Sequence, residues 1–428
     1  MKFNKWTMGL AAVGVVSLAS AARADETKMD KVNTALSNTT LSGYVDVGAE
    51  FNPGGVGYGY DYSSARPNTY SIGGSSYNGG PGYYSFAKAN GFYLNSVDLA
   101  LDKPQDEGPW ASGYHVELMF GPDATPDSYD GNSYSGYPIR QAYLALRTPV
   151  GNSQIDWKLG VFDTIIGYES TTDGANPNYT RSYGYTMEPT THTGILGTFK
   201  ATDWISFSAG LADTTYNNGY LPGVNSGTIV NAMNYPTVLG SLALTAPDSW
   251  GWAKGATLNA GVVNSPSSNY GGGTSYYAGV TVPTPLTALK VGASFDYADM
   301  HNAYNPSAYY YYRNPANDSV WDVALYANYQ CNDKLSFNLR GEYLNNGING
   351  DGLYPFVGTH RYGPHEPNSA EEVTATVSYQ LWANVLSRVE FRWDHVSHGD
   401  SFDATSSTNS RADRDNAFLL ALNLIYQF

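Results

Sequence analysis

Residues 418–428 read FLLALNLIYQF, and they are the last of the 428 residues. Phe418, Leu420, Leu422, Leu424, Tyr426 and Phe428 fall on one face of a two-residue period. The other face takes Ala417, Ala421, Asn423 and Gln427, with Leu419 and Ile425 intruding. A period of two is the signature of a β-strand. Chain ends in water usually fray into polar residues, whereas this one is apolar throughout, aromatic at both ends and leucine-rich between. Such a strand must be paired and must face something other than water.

The same alternation recurs upstream. In 319–330, SVWDVALYANYQ, Trp321, Val323, Leu325, Ala327 and Tyr329 oppose Asp322, Ala324, Tyr326 and Asn328. In 334–345, KLSFNLRGEYLN, Leu335, Phe337, Leu339, Gly341 and Tyr343 oppose Ser336, Asn338, Arg340 and Glu342. In 384–395, Val385, Val389, Phe391 and Trp393 oppose Arg388, Glu390, Arg392 and Asp394. These second faces are too charged for a sandwich core, where an unpaired charge costs several kcal/mol. A barrel in lipid needs this pattern: apolar outside, wet inside, aromatic girdles at both interfaces. The fold class expected is therefore all-β, a transmembrane antiparallel barrel.

Alternation and turn punctuation predict about sixteen strands, at 39–51, 91–103, 110–120, 138–148, 154–163, 192–200, 203–212, 236–246, 255–264, 274–282, 288–298, 319–330, 334–345, 370–380, 384–395 and 417–428. The connections alternate short and long. The short ones, such as PQDEGP, PVGNS, ATD, PTPLT, CND and LWAN, suit periplasmic turns. The long ones include 52–90, 121–137, 164–191, 213–235, 265–273, 299–318, 346–369 and 396–416 and suit external loops. The last strand is expected to close the cylinder against the first, where Leu41, Val45, Val47, Ala49 and Phe51 also share a face.

Composition agrees. Charged residues make up 14% of the chain, against about 25% in ordinary soluble domains, while there are 37 Tyr, 46 Gly and 9 Trp. Residues 1–24 carry Lys2 and Lys5, a short apolar run and the small-x-small site ARA, which predicts a cleaved secretory signal. Residues 25–38 are expected as a short periplasmic segment, either a short helix with Met29, Val32 and Leu36 on one face or a disordered leader. The barrel is expected to take 39–428, with no second domain and no transmembrane helix. One cysteine, Cys331, excludes an internal disulfide framework. A net charge of −15 is a poor match for nucleic acid.

No motif for catalysis or cofactor binding stands out: G-x-S-x-G, a P-loop, HExxH and G-x-G-x-x-G are absent from the sequence, and GVGYGY at 55–60 has no helix after it. No cofactor and no enzymatic activity are expected. His395 and His398 have ligand-like spacing without a third ligand. Asp123, Asp127, Asp130, Asp400 and Asp403 are either solvated loop acids or bridges through divalent cations to lipopolysaccharide. AYYYYRN at 308–314 is either loop packing or a platform for sugar rings.

The third long connection, TIIGYESTTDGANPNYTRSYGYTMEPTTHTG at 164–194, is too long for a simple connector. Within it, NPNYTRSYGYTMEPTTHTGILGTF at 176–199 resembles the outer-membrane proteins grouped as putative beta-barrel porin-2. It also sits where general trimeric porins fold a loop inward to narrow the channel. The resemblance implies a water-filled pore in the outer membrane of a Gram-negative bacterium, passing small hydrophilic solutes and ions by diffusion. It implies a homotrimer set in lipid and lipopolysaccharide, built by the assembly machinery for outer-membrane barrels. An aromatic last strand resembles the signal that machinery reads, which points to Tyr426 and Phe428. The constriction residues expected are Glu169, Asp173, Arg181 and Glu188, with Lys158, Arg340, Glu342, Arg388, Glu390 and Arg392 on the lumen wall. Two arrangements of the wall arginines are open: they face the loop acids across the pore, or they pair with Glu342, Glu390 and Asp394 beside them. Rival functions are a sugar-type channel with an aromatic binding track, an enzyme carried on a barrel, and a structural or adhesive barrel.

Overall fold

A computed structural model describes residues 38–51, 60–61, 66–67, 90–121, 123, 139–213, 236–268, 271–301, 319–347, 369–397 and 415–428. The expected signal segment 1–24 and all but Asn38 of the expected periplasmic segment 25–38 lie outside them. So do residues 55–59 of the Gly-rich stretch, the tyrosine run 308–314, His398, Asp127, Asp130, Asp400 and Asp403.

Sixteen antiparallel strands form one closed barrel. They are β1 (Thr40–Phe51), β2 (Gly91–Lys103), β3 (Ser112–Phe120), β4 (Ile139–Val150), β5 (Ser153–Asp163), β6 (Thr191–Lys200), β7 (Ile205–Ala212), β8 (Thr237–Thr245), β9 (Thr257–Ser268), β10 (Gly271–Pro283), β11 (Leu289–His301), β12 (Ser319–Gln330), β13 (Leu335–Asn346), β14 (Ser369–Trp382), β15 (Val385–Val396) and β16 (Asn416–Gln427). Each pairs with its neighbours in sequence, and β16 pairs with β1 from Tyr44↔Gln427 to Phe51↔Leu420. Closure leaves no edge strand, so every ladder group finds its partner inside the wall.

Burial along the strands is inverted relative to a protein in water. Arg340, Arg388, Glu390, Arg392 and Asp394 are buried, while Leu325, Leu339 and Phe391 are 61%, 50% and 45% exposed. The charged face points inward and the apolar face outward, as a wall between lipid and water requires.

The strand boundaries follow the expected ones to within a few residues, with one correction. A long connection is expected at 265–273, but β9 runs on to Ser268 and β10 begins at Gly271, with Ser265↔Gly273 and Ser268↔Gly271 paired. The sequence there, SPSSNYGGG, is rich in Ser and Gly and offers no apolar alternation by which to see the extension.

Candidate functional site

The segment 164–190 leaves β5 and returns to β6, yet its contacts lie on nearly every other part of the wall. Ile165 and Ile166 pack with Phe162, Leu196, Leu239, Val263 and Tyr277 of β5, β6 and β8–β10. Tyr168 bonds Thr281 of β10 at 3.0 Å and stacks on Tyr326 of β12 with ring centroids 4.1 Å apart. A 3-10 turn at Asp173–Ala175 then reaches β2, where Ser96 Oγ donates to Asp173 at 2.6 Å.

From Asn176 to Tyr183 the wall grips the segment by its main chain. Arg388 donates to the carbonyls of Asn176 and Asn178, each at 2.9 Å. Glu390 accepts from the amides of Tyr179 and Thr180. Arg340 donates to the carbonyls of Thr180 and Arg181 at 2.7 and 3.1 Å, and Arg392 to that of Arg181 at 2.8 Å. Glu342 accepts the amide of Tyr183. Buried main-chain groups outside regular structure need such partners, and an arginine fork supplies several donors from one rigid plane.

A single turn of helix, α1 (Tyr183–Met187), follows, with Ser182 as its N-cap accepting from the amide of Tyr185 at 3.0 Å. Tyr179, Tyr183 and Met187 bury their side chains against Ala298, Val320, Leu344, Ala370, Val396 and Leu419, an apolar ring on the inward faces of β11–β16. The Tyr183 and Tyr179 hydroxyls donate to Asp394 at 2.5 Å and to Glu50 of β1 at 2.7 Å.

The expected residues therefore sit as follows. Glu169 takes an ion pair from Arg340 at 2.8 Å and the amide of Ser182. Asp173 pairs with Arg181 at 3.0 Å, and the Arg181 guanidinium lies 5.5 Å from the Tyr185 ring. Glu188 meets Asp296 of β11, and burial followed by that second carboxyl raises its pKa well above the usual carboxylate range. Lys158 stands apart on β5, its Nζ 4.7 Å from the Tyr143 ring. Tyr426 faces outward and stacks on Phe428, whose backbone exchanges two hydrogen bonds with Gly43.

The wall arginines combine parts of both arrangements left open by the sequence. Arg340 pairs with Glu342 and Glu372 on the wall and with Glu169 of the segment at once. Arg392 pairs with Asp394, while Arg388 binds Asn423 and the segment's carbonyls. All three are at most 1% exposed. They hold the segment directly, with no gap between, because side chains that long reach main-chain carbonyls whose positions no sequence spacing reveals.

A second set of charges lies on β2–β5 and was not singled out from the sequence. Arg140 bridges Glu117 at 2.7 Å and Asp163 at 2.6 Å. His115 lies between Asp102 and Glu117, 3.2 Å from each, with its ring stacked on Tyr143. Alternation on β3 and β4 could have found these residues, but a bulge at Glu117/Leu118 shifts the period where it matters.

A closed antiparallel barrel of sixteen strands, lipid-facing outside and charged inside, defines a porin-type protein. The chain belongs to the family Putative beta-barrel porin-2, OmpL-like, whose model matches residues 38–428. Among solved structures it is similar to the outer membrane channel DcaP of Acinetobacter baumannii, at 14% identity and a TM-score of 0.52 over 91% of this chain and 97% of that one. The trimer form of OmpT of Vibrio cholerae, folded in vitro, gives 11% and 0.51 over 91% and 99%. An anion-selective porin from Comamonas acidovorans gives 10% and 0.50 over 91% and 99%. At these identities the likeness concerns the fold alone. No curated protein matches the chain.

Proposed function

We propose that this protein is a non-catalytic porin of the Gram-negative outer membrane, a water-filled pore through which small hydrophilic solutes and ions diffuse, assembled as a homotrimer. The observation that carries the reading is the inward face: charged and polar side chains line a closed sixteen-strand cylinder, a size that leaves room for an aqueous channel. Residues 164–190 form its constriction. Because β8–β16, β1 and the middle of β2 hold that segment, the open path runs along β3–β5 and the start of β2, past Asp102, His115, Lys158 and Asp163. Glu169, Asp173, Arg181 and Glu188 fix the constriction's shape as much as its charge.

Purified protein in planar bilayers tests this. Stepwise conductance is expected, and its absence would remove the reading. Reversal potentials across a salt gradient then locate the path. Asp102→Asn, which removes a negative charge from a side chain 44% exposed, should shift preference toward anions. Lys158→Met should shift it toward cations. Both shifts should fade as salt rises and screening shortens the reach of each charge.

A further inference from the structure

Much of the segment 164–190 is held along one transverse row of the wall. Strand register places Thr281 of β10, Gly292 of β11, Tyr326 of β12, Arg340 of β13, Thr374 of β14 and Arg392 of β15 side by side. The arginine end of this row grips the carbonyls of Thr180 and Arg181. At the other end the row meets a single side chain of the segment, Tyr168. Its hydroxyl lies 3.0 Å from Thr281 Oγ1, and its ring stacks on Tyr326 with 18° between the planes. Between those two partners stands Gly292, which has no side chain of its own.

Gly292 and its diagonal neighbour Gly279 make the room. A Cβ on Gly292 would overlap the Tyr168 hydroxyl and stand 2.7 Å from Cζ. A Cβ on Gly279 would stand 3.3 Å from Tyr168 Cδ2 and overlap the hydroxyl of Tyr277. Glycine weakens a strand and often marks a place where something approaches the backbone closely. Here the wall carries a slot one tyrosine wide, floored by backbone, with a hydroxyl on one side and an aromatic face on the other. The next residue of the segment, Glu169, then reaches Arg340 at 2.8 Å and lies 3.4 Å from the Tyr326 hydroxyl. A slip of Tyr168 by one strand position, about 3.3 Å, would carry Glu169 out of that ion pair.

We propose that Tyr168 is a positioning residue of the constriction: keyed into the Gly279–Gly292 slot, it sets the height at which the segment crosses the pore and holds the channel at a single size. The assignment deepens the porin reading and rests on it. The two ends of the row differ in what they specify. The arginine forks bind main-chain carbonyls, which every residue offers, so they give strength without fixing which residue they meet. The slot accepts a ring only where a missing side chain, a hydroxyl and an aromatic face coincide, so it fixes the register.

Single-channel recording tests this, on barrels first shown to be folded by their heat-modifiable migration. Tyr168→Ala leaves the strand ladder untouched. It should raise the share of time spent outside the main conductance level about tenfold or more, the scale of losing a stacked, half-buried ring. Gly292→Ala should act in the same direction from the wall side, by filling the slot. Tyr168→Phe keeps the ring, loses one hydrogen bond and should stay near wild type. The deciding variant combines Gly292→Ala with Tyr168→Phe. Removing the hydroxyl clears the worst overlap with the added methyl, so the main level should return in part. A merely structural defect at Gly292 would not be relieved by deleting one oxygen from the segment. A single steady level in Tyr168→Ala, or a Gly292→Ala effect that Tyr168→Phe leaves unchanged, overturns the positioning role while the pore stands. No conductance from the wild-type protein overturns the pore reading itself.

Discussion

Replacing Arg340 with methionine should release the segment 164–190 from the wall and turn a quiet channel into a larger, noisy one. Arg340 is fully buried and joins both sides of the junction. Toward the wall it pairs with Glu342 at 2.6 Å and Glu372 at 3.1 Å. Toward the segment it holds Glu169 and the carbonyls of Thr180 and Arg181. Removing the cation leaves three carboxylates facing one another, and breaking a buried pair of this kind costs about 3–5 kcal/mol. The barrel ladder does not depend on Arg340, so the cost falls on docking of the segment. Arg340→Lys keeps the charge and loses the fork, and should give an intermediate result. Adding Glu372→Gln to Arg340→Met should restore part of the loss, because the two residues share one network. Single-channel recordings decide it: a wild-type trace from Arg340→Met would mean that the clamp does not hold the segment.

Deleting Phe428 should reduce folded barrel in the membrane several-fold. Its amide donates to Gly43 at 3.0 Å and its carbonyl accepts from Gly43 at 3.1 Å, at the seam where β16 meets β1. Two such bonds contribute about 1 kcal/mol each, too little by themselves to abolish a barrel with a full ladder on both sides. A large loss therefore points to a reader of the side chain during assembly. Phe428→Ser separates the two causes, since it keeps both backbone bonds and removes the ring. The readout is the fraction of protein that migrates abnormally on gels until boiled. Normal levels in both variants would leave Phe428 with no part in assembly.

Strand positions were legible because each strand stands between lipid and water. That contrast forces a strict period of two, as Trp321 to Tyr329 show on β12 and Val389 to Trp393 on β15. Where the wall is rich in Ser and Gly, as at the paired ends of β9 and β10, the period carried no information. Leu419 is the instructive exception. It looked like an intruder on the polar face of β16, but it belongs to an apolar ring inside the barrel, under Tyr179, Tyr183 and Met187. Ile425 likewise lies on the inward face, 4.0 Å from where a Cβ on Gly174 would stand. The candidate site was half legible. The residue types at 169, 173, 181 and 188 marked the segment as charged, and the polar face of β13–β15 marked the arginines as inward. Their mutual contacts join positions some 160 to 210 residues apart, and no local pattern encodes a partner across a cylinder.

The central claim is that residues 164–190 form the narrowest part of a water-filled pore. Polymer exclusion tests it most directly. Residues 170–187 are replaced by a short Gly-Ser linker, and the largest polyethylene glycol that still enters the channel and lowers its conductance is measured for both proteins. The account predicts that the shortened protein remains a folded, heat-modifiable barrel, conducts several-fold more current and admits distinctly larger polymers. The same conductance and the same polymer cut-off in both proteins would contradict it.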